Sequence, residues 1–289
     1  MSQLLASLVD GEPAATVPLD DRGLLYGDGL FETVLLHGRR PVWWPEHYQR
    51  LHNAARRLRI DCAEEALWRS EIARLVSGDD LPQRSVLRLS LTRGSAGRGY
   101  APALDARPRR ILALYPLSSS PDTARGLRLR RCQLQLAEQP ALAGIKHLNR
   151  LELVLARLEW TELRAAERAS FDEGLLLNRQ EQVVCSTLGN LLWRGADGWH
   201  TPPLQGSGID GICRQQLLHL GWLDERPLAA ADLPAVTSLA VCNSVRGILP
   251  VHSLDARPLT DPEAACRLSK QLTEQEPAFE LDPHPAPGG

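Results

Sequence analysis

Lys146 and Lys270 are the only lysines in a chain of 289 residues, arginine supplying the rest of the basic side chains. A lysine amine attacks a carbonyl only when unprotonated, and at a reference pKa near 10.4 roughly one in a few thousand is neutral at pH 7. Apolar neighbours lower that pKa by disfavouring the charge, and conversion to an imine with an aldehyde removes the charge altogether. Lys146, in ALAGIKHLNRLELVLAR, has Ile145 and Leu148 beside it, between a loop and the start of a long helix. Lys270 stands between Ser269 and Gln271, where an exposed ammonium is expected. Imine chemistry thus has one good candidate, against the ordinary alternative of a solvated lysine at a helix start.

Two segments have the form of phosphate cradles. GSGIDGICR places Gly208 and Gly211 just before a helix, so that the amides of Ile212 and Cys213 could face an anion with the helix dipole behind them. VCNSVRGI ends a strand at Asn243 and Ser244, whose hydroxyl could complete such a site. Either segment alone also reads as an ordinary glycine turn. A third segment, RGSAGRGYAPA, carries Arg93, Arg98 and Tyr100; arginine forks match carboxylates, which suggests a dicarboxylate substrate, the alternative being a solvated basic loop. The six cysteines are scattered singly, with no spacing suited to a metal or a disulfide framework, so no metal is expected. Serine-hydrolase, zincin, P-loop and Rossmann motifs are absent.

The elements that must position these residues read as mixed α and β. FETVLLHGRRPVWW forms a hairpin around His37-Gly38, and Pro45 opens a helix through Tyr48, Leu51, Ala55 and Leu58. A second helix is expected from about Ala63 to Val76. SVLRLSLTR alternates Leu87, Leu89 and Leu91 against Arg88, Ser90 and Thr92 as a half-buried strand does, and RRILALYP is another. A small N-terminal α/β domain over residues 1–116, a linker at 117–126 and a larger domain at 127–277 are expected, with a disordered tail at 278–289. In the larger domain GLRLRRCQLQ reads as a strand. A long helix with Leu148, Leu151, Val154, Leu158 and Leu163 on roughly one side follows, then the short strands GLLLN, EQVVCS and NLLWRG, whose close spacing suggests a barrel-like sheet. A formal charge of −2 and the lack of a long apolar run disfavour nucleic-acid, membrane and secreted readings; a cytoplasmic location is expected.

Taken in order, YGDGLFET (26–33), EHYQRL (46–51), GSAGRGY (94–100), GIKHLNRLELVLAR (144–157), NLLW (190–193), GIDGICR (208–214) and CNSVRGILPV (242–251) resemble the fold-type IV pyridoxal-phosphate enzymes. These include branched-chain and D-amino-acid aminotransferases and the aminodeoxychorismate lyases, and GSAGRGY and KHLNRLE look most like the lyases. The resemblance implies pyridoxal 5'-phosphate as cofactor, a homodimer, and release of pyruvate from 4-amino-4-deoxychorismate to give 4-aminobenzoate for folate synthesis. It implies that Lys146 carries the cofactor and acts as general acid and base, and that Thr33 relays a proton. Arg50, Ile212, Cys213 and Ser244 would bind the phosphate, while Arg93, Arg98, Tyr100 and Asn149 would face the substrate, in this family usually across a dimer interface. Arg150 stands where many members have a tyrosine, which favours a lyase over an aminotransferase. Cys185 stands where the family has the glutamate that contacts the pyridine nitrogen, leaving Glu181 or a water as substitutes. An aminotransferase on the same scaffold and a non-catalytic cofactor-binding protein are the alternatives.

Overall fold

The computed structural model describes residues 4–78, 80–95, 99–103, 105–117, 126–161 and 171–280. The first part of the chain runs β1 (Ala6–Val9), β2 (Glu12–Pro13), α1 (Arg22–Tyr26), β3 (Gly29–His37), β4 (Arg40–Pro41), α2 (Trp44–Leu58), α3 (Glu65–Leu75), β5 (Arg84–Thr92) and β6 (Arg109–Pro116). Its strands form an antiparallel sheet in the order β2-β1-β6-β5-β3-β4. β3 pairs with β5 along its whole length, from Gly29↔Thr92 to His37↔Arg84. The alternation in β5 turns Leu87, Leu89 and Leu91 into a core where α2 sets Leu51, Ala54 and Ala55 and α3 sets Trp68 and Ile72. Arg88 and Thr33, directly paired, face the other way.

The second part comprises β7 (Leu127–Leu136), α4 (Leu151–Thr161), β8 (Glu173–Asn178), β9 (Val183–Ser186), β10 (Asn190–Arg194), β11 (Trp199–Thr201), α5 (Ile212–His219), β12 (Asp224–Glu225), β13 (Leu239–Asn243), β14 (Gly247–Leu254), β15 (Arg257–Pro258) and α6 (Pro262–Gln275). The sheet runs β12-β11-β10-β13-β14-β7-β8-β9, and β9 also pairs with β10. Six strands, β7, β8, β9, β10, β13 and β14, therefore close on themselves, and the closing pair is Cys185↔Asn190. Alternate residues such as Leu129, Leu175, Leu177, Leu191, Val241 and Leu249 share one cluster inside the ring. On the outside, Leu192, Ala240 and Ile248 meet α5 and α6, while Leu176, Val184 and Cys132 meet Ala156 and Trp160 of α4.

Three expectations need correction. The helix after Lys146 begins at Leu151, because residues 146–148 are drawn alongside β3: Phe31 N–H donates to Lys146 O at 3.0 Å and Leu148 N–H to Gly29 O at 3.0 Å. Leu148 packs on Gly29, where a Cβ would lie 2.8 Å from its Cδ1. The apolar stripe of that helix is not core: Leu151, Val154, Leu155 and Leu158 are exposed, and Leu163 lies outside the described residues. The tail is packed at its start, since Ala278 and Phe279 are buried and the Phe279 ring sits 4.8 Å from that of Trp43; residues 281–289 lie outside the described residues, as does most of the expected linker.

Candidate active site

A cavity of about 550 Å³ opens where the 146–150 segment, the β9–β10 turn, the start of α5 and the β13–β14 turn converge; Lys146, Arg50, Asn149, Cys185, Ile212 and Ser244 all line it. Lys146 is placed by backbone, through the bridge between His147 and Leu30, so its position depends on the start of β3 rather than on α4. Its Nζ lies 4.2 Å from the centre of the Phe31 ring. Burial, and then the nearby cations Arg50, Arg150 and Arg88, bring its pKa down to about 7 against the opposing pull of Glu32.

Arg50 is held in place from both parts of the fold. Its Nε and Nη2 donate to Glu32 Oε1 and Oε2 at 2.8 and 2.5 Å, and its Nη1 to Asp210 O at 2.9 Å. Glu32 Oε2 also meets His47 Nδ1 at 2.6 Å. Burial alone would raise the Glu32 pKa, but Arg50 and His47 together drive it down to about 2, so it is a carboxylate at any ordinary pH. Burial lowers the His47 pKa, which favours a neutral ring donating from Nδ1 to that carboxylate. Sequence spacing missed Glu32; only its place in the YGDGLFET run marked it.

The start of α5 faces the cavity with Gly211 as its extended N-cap, so the amides of Ile212 and Cys213 lie in the first turn, where a helix has no acceptors of its own. A Cβ at Gly211 would lie 2.2 Å from Asn190 Oδ1; Asn190 fixes this approach by donating Nδ2–H to Ile209 O at 2.8 Å. Only the backbone of Cys213 is in play, its thiol being buried against Cys242. Ser244 lies within a turn in which Asn243 Oδ1 accepts from Val245 and Arg246 N–H, and Ser244 Oγ donates to Thr33 O at 3.3 Å. An arginine, two helix-start amides and a hydroxyl fit a phosphate, and a half-neutral lysine fits an aldehyde.

The remaining candidates divide. Cys185 is buried in the wall, and burial pushes its thiol up to about 12 even with Arg150 close by, so it is a thiol rather than a thiolate. Glu181 is no substitute for it: the residue is exposed in the β8–β9 turn, where its carboxylate accepts from Gln135. Thr33 lies beside the wall, on the same face of β3 as Phe31. Arg93 is spoken for, its guanidinium donating to Asp28 and to Leu58 O and Arg59 O. Tyr100 is exposed and away from the cavity of its own chain, and Arg98 lies outside the described residues. Arg88 was not singled out in sequence, because alternation reads it only as the polar face of β5. That face looks toward the site, with Arg88 Cζ 4.3 Å from the Phe31 ring centre.

With a pKa near 7, about half of the Lys146 amines are neutral at neutral pH. The rate at which the chain captures pyridoxal phosphate should therefore rise with pH through about 7 and level off above it, instead of climbing toward 10. Borohydride reduction and peptide mapping should then label Lys146 and leave Lys270, which is exposed on α6. Label on Lys270, or a rate still rising at pH 9, would contradict this assignment.

Comparison with known proteins agrees with the geometry. The model of the amino-transferase class IV family matches residues 29–254. An aminodeoxychorismate lyase of Vibrio harveyi is 30% identical over 86% of this chain and 91% of its own length. A branched-chain-amino-acid aminotransferase assigned in Methanocaldococcus jannaschii is 28% identical over 91% of each chain. The crystal structure of 4-amino-4-deoxychorismate lyase from Pseudomonas aeruginosa superposes with a TM-score of 0.85 at 39% identity, covering 93% of this chain and 99% of the other. The matched span runs from the start of β3 to the end of β14 and so contains the lysine, the anchored arginine and the helix start. The chain belongs to the amino-transferase class IV family, a pyridoxal-phosphate enzyme of fold-type IV.

Proposed function

We propose that the chain is a lyase converting 4-amino-4-deoxychorismate to 4-aminobenzoate and pyruvate, as part of folate biosynthesis. The observation that carries this reading is the pair of guanidiniums near Lys146: Arg150 in the cavity wall, and Arg88 against the Phe31 ring that Lys146 also meets. Two such cations suit a substrate with one carboxylate on its ring and another on its enolpyruvyl arm. The likeness to lyases from Vibrio harveyi and Pseudomonas aeruginosa supports the same choice.

Pyridoxal phosphate, when bound, supplies the electron sink. The chain supplies position and protons. Arg50, the amides of Ile212 and Cys213 and the Ser244 hydroxyl hold the phosphate. The Lys146 amine, once free, takes the proton from the amine-bearing ring carbon, and its pKa near 7 suits it to both accept and return a proton. The enolpyruvyl oxygen leaves from the adjacent carbon, the ring becomes aromatic, and Thr33, on the face of β3 that carries Phe31, is assigned the protonation of the enol methylene. Asn149 and Arg150 line the wall on the substrate side, Arg150 being braced by its Nε–H bond to His147 O at 2.9 Å.

The same reading makes the enzyme a cytoplasmic homodimer of two-domain chains. Leu151, Val154, Leu155 and Leu158 on α4, and Leu24 and Leu25 on α1, are exposed apolar side chains of the kind a second copy would cover. The six free cysteines suit a reducing compartment, and among the described residues no helix is long and apolar enough to cross a membrane. Sedimentation should give twice the chain mass, and a monomer at micromolar concentration would remove the dimer.

The runner-up is an aminotransferase on the same scaffold. The purified, cofactor-loaded chain should release pyruvate from aminodeoxychorismate with no keto acid present. Conversion of its cofactor to the amine form by an amino acid, with no pyruvate from aminodeoxychorismate, would favour the transaminase. On the lyase reading Cys185 faces the pyridine nitrogen, and a protonated thiol cannot hold a proton there as a carboxylate does. Cys185→Glu should leave lyase turnover within about tenfold, about 1.4 kcal/mol in barrier, while making conversion of the cofactor by amino acids more frequent. Unaltered conversion would count against a role for the thiol.

A further inference from the structure

Gly99 and Tyr100 lie away from the cavity of their own chain, and Tyr100 is 88% exposed, yet one buried side chain holds their backbone. Arg22, at the start of α1, is only 3% exposed. Its Nε donates to Asp28 Oδ2 at 2.9 Å, its Nη1 to Gly99 O at 2.8 Å and its Nη2 to Tyr100 O at 3.0 Å. One helical turn on, the Tyr26 ring covers the guanidinium, with Arg22 Cζ 4.8 Å from its centre. Tyr26 in turn packs on Tyr100, ring centres 5.6 Å apart, and its hydroxyl accepts Gly99 N–H at 3.1 Å.

The other end of this cluster reaches the site. Asp28 is shared with Arg93, which donates to both of its carboxylate oxygens. The preceding residue, Gly27, accepts at its carbonyl from Asn149 Nδ2 at 3.0 Å, and Asn149 is in the cavity wall. A planar guanidinium fixes two carbonyls and a carboxylate at set spacings, which a lysine ammonium cannot do. Burying such a charge at the start of a five-residue helix is unfavourable unless every bond is made, so the arrangement is specific to this geometry.

We propose that Arg22 is a positioning residue for the substrate site. Its fork holds Gly99 and Tyr100 in a single outward presentation, registered through Asp28 and Gly27 to Asn149, so that Tyr100 meets a substrate carboxylate in the cavity of a second copy already ordered. Ordering in advance removes an entropic cost from substrate binding. The inference rests on the dimeric lyase reading above.

The test compares wild type with Arg22→Lys, both loaded with cofactor. Arg22→Lys keeps a cation for Asp28 but cannot span both carbonyls. Hydrogen–deuterium exchange in the 99–103 segment should speed up, and KM for aminodeoxychorismate should rise on the order of tenfold with kcat within about threefold, the pattern of a lost binding contribution. Cofactor absorption and melting temperature should stay near wild type. Tyr26→Phe, which removes only the acceptor for Gly99 N–H, should give a smaller change in the same direction and serves if Arg22→Lys does not fold. Unchanged exchange overturns the tether, and faster exchange with unchanged KM overturns the positioning role. A wild-type chain that releases no pyruvate would instead sink the lyase reading, since the exchange measurement needs no substrate.

Discussion

Burying Arg50 beside Lys146 sets two cations in one poorly hydrated place, and the Glu32 carboxylate is what makes that arrangement tolerable. Its two oxygens take the Arg50 fork, and one of them also meets His47, so the negative charge is bound on the side away from the cavity. With Arg50 fixed, its remaining nitrogen reaches Asp210 O, just ahead of α5. One ion pair therefore aligns the first sheet with the helix start in the second part of the fold. Removing the carboxylate would leave an unpaired buried guanidinium, which is far more costly than never having made the pair.

The lysine's own placement follows a similar logic. A side chain on α4 would move with that helix, but residues 146–148 are stitched to the start of β3, so the amine stands over Phe31 whatever the helix does. The YGDGLFET and GIKHLN segments, more than a hundred residues apart in sequence, are thus a single structural feature.

Much of this was readable in the chain itself, for reasons that differ by residue. The strands of the first sheet announce themselves because one face is buried and the other is not, which forces alternation in β5 and β6. The scarcity of lysine pointed to Lys146, and the glycines before Ile212 pointed to a cradle. Alternation says which residues share a face but not what the face looks at, so nothing marked Arg88 as lying against the Phe31 ring. Helical periodicity is equally silent about the partner: the leucine stripe of α4 looked like core and is bare. Arg93 shows the converse error, a cation on a glycine-rich loop whose charge is already engaged by Asp28. The roles of Glu32 and Arg22 were missed because a buried carboxylate and a buried guanidinium carry no periodic pattern; only the fold brings their partners to them.

The rung that shuts the barrel has a bearing on how this chain can change. Cys185 and Asn190 are the pair through which the last strand returns to the ring, and both are also in the wall of the cavity. The hoop is fastened at the site, with its clasp made of residues that line the cavity. Any inherited change at either residue is judged twice, once by the sheet and once by the chemistry. New specificity at this wall must therefore come from residues that leave the clasp shut, and Leu188 is the freer ground, since beside it Thr187 N–H is bonded to Gly174 O of β8 and a Cβ at Gly189 would lie 2.2 Å from Cys242 O.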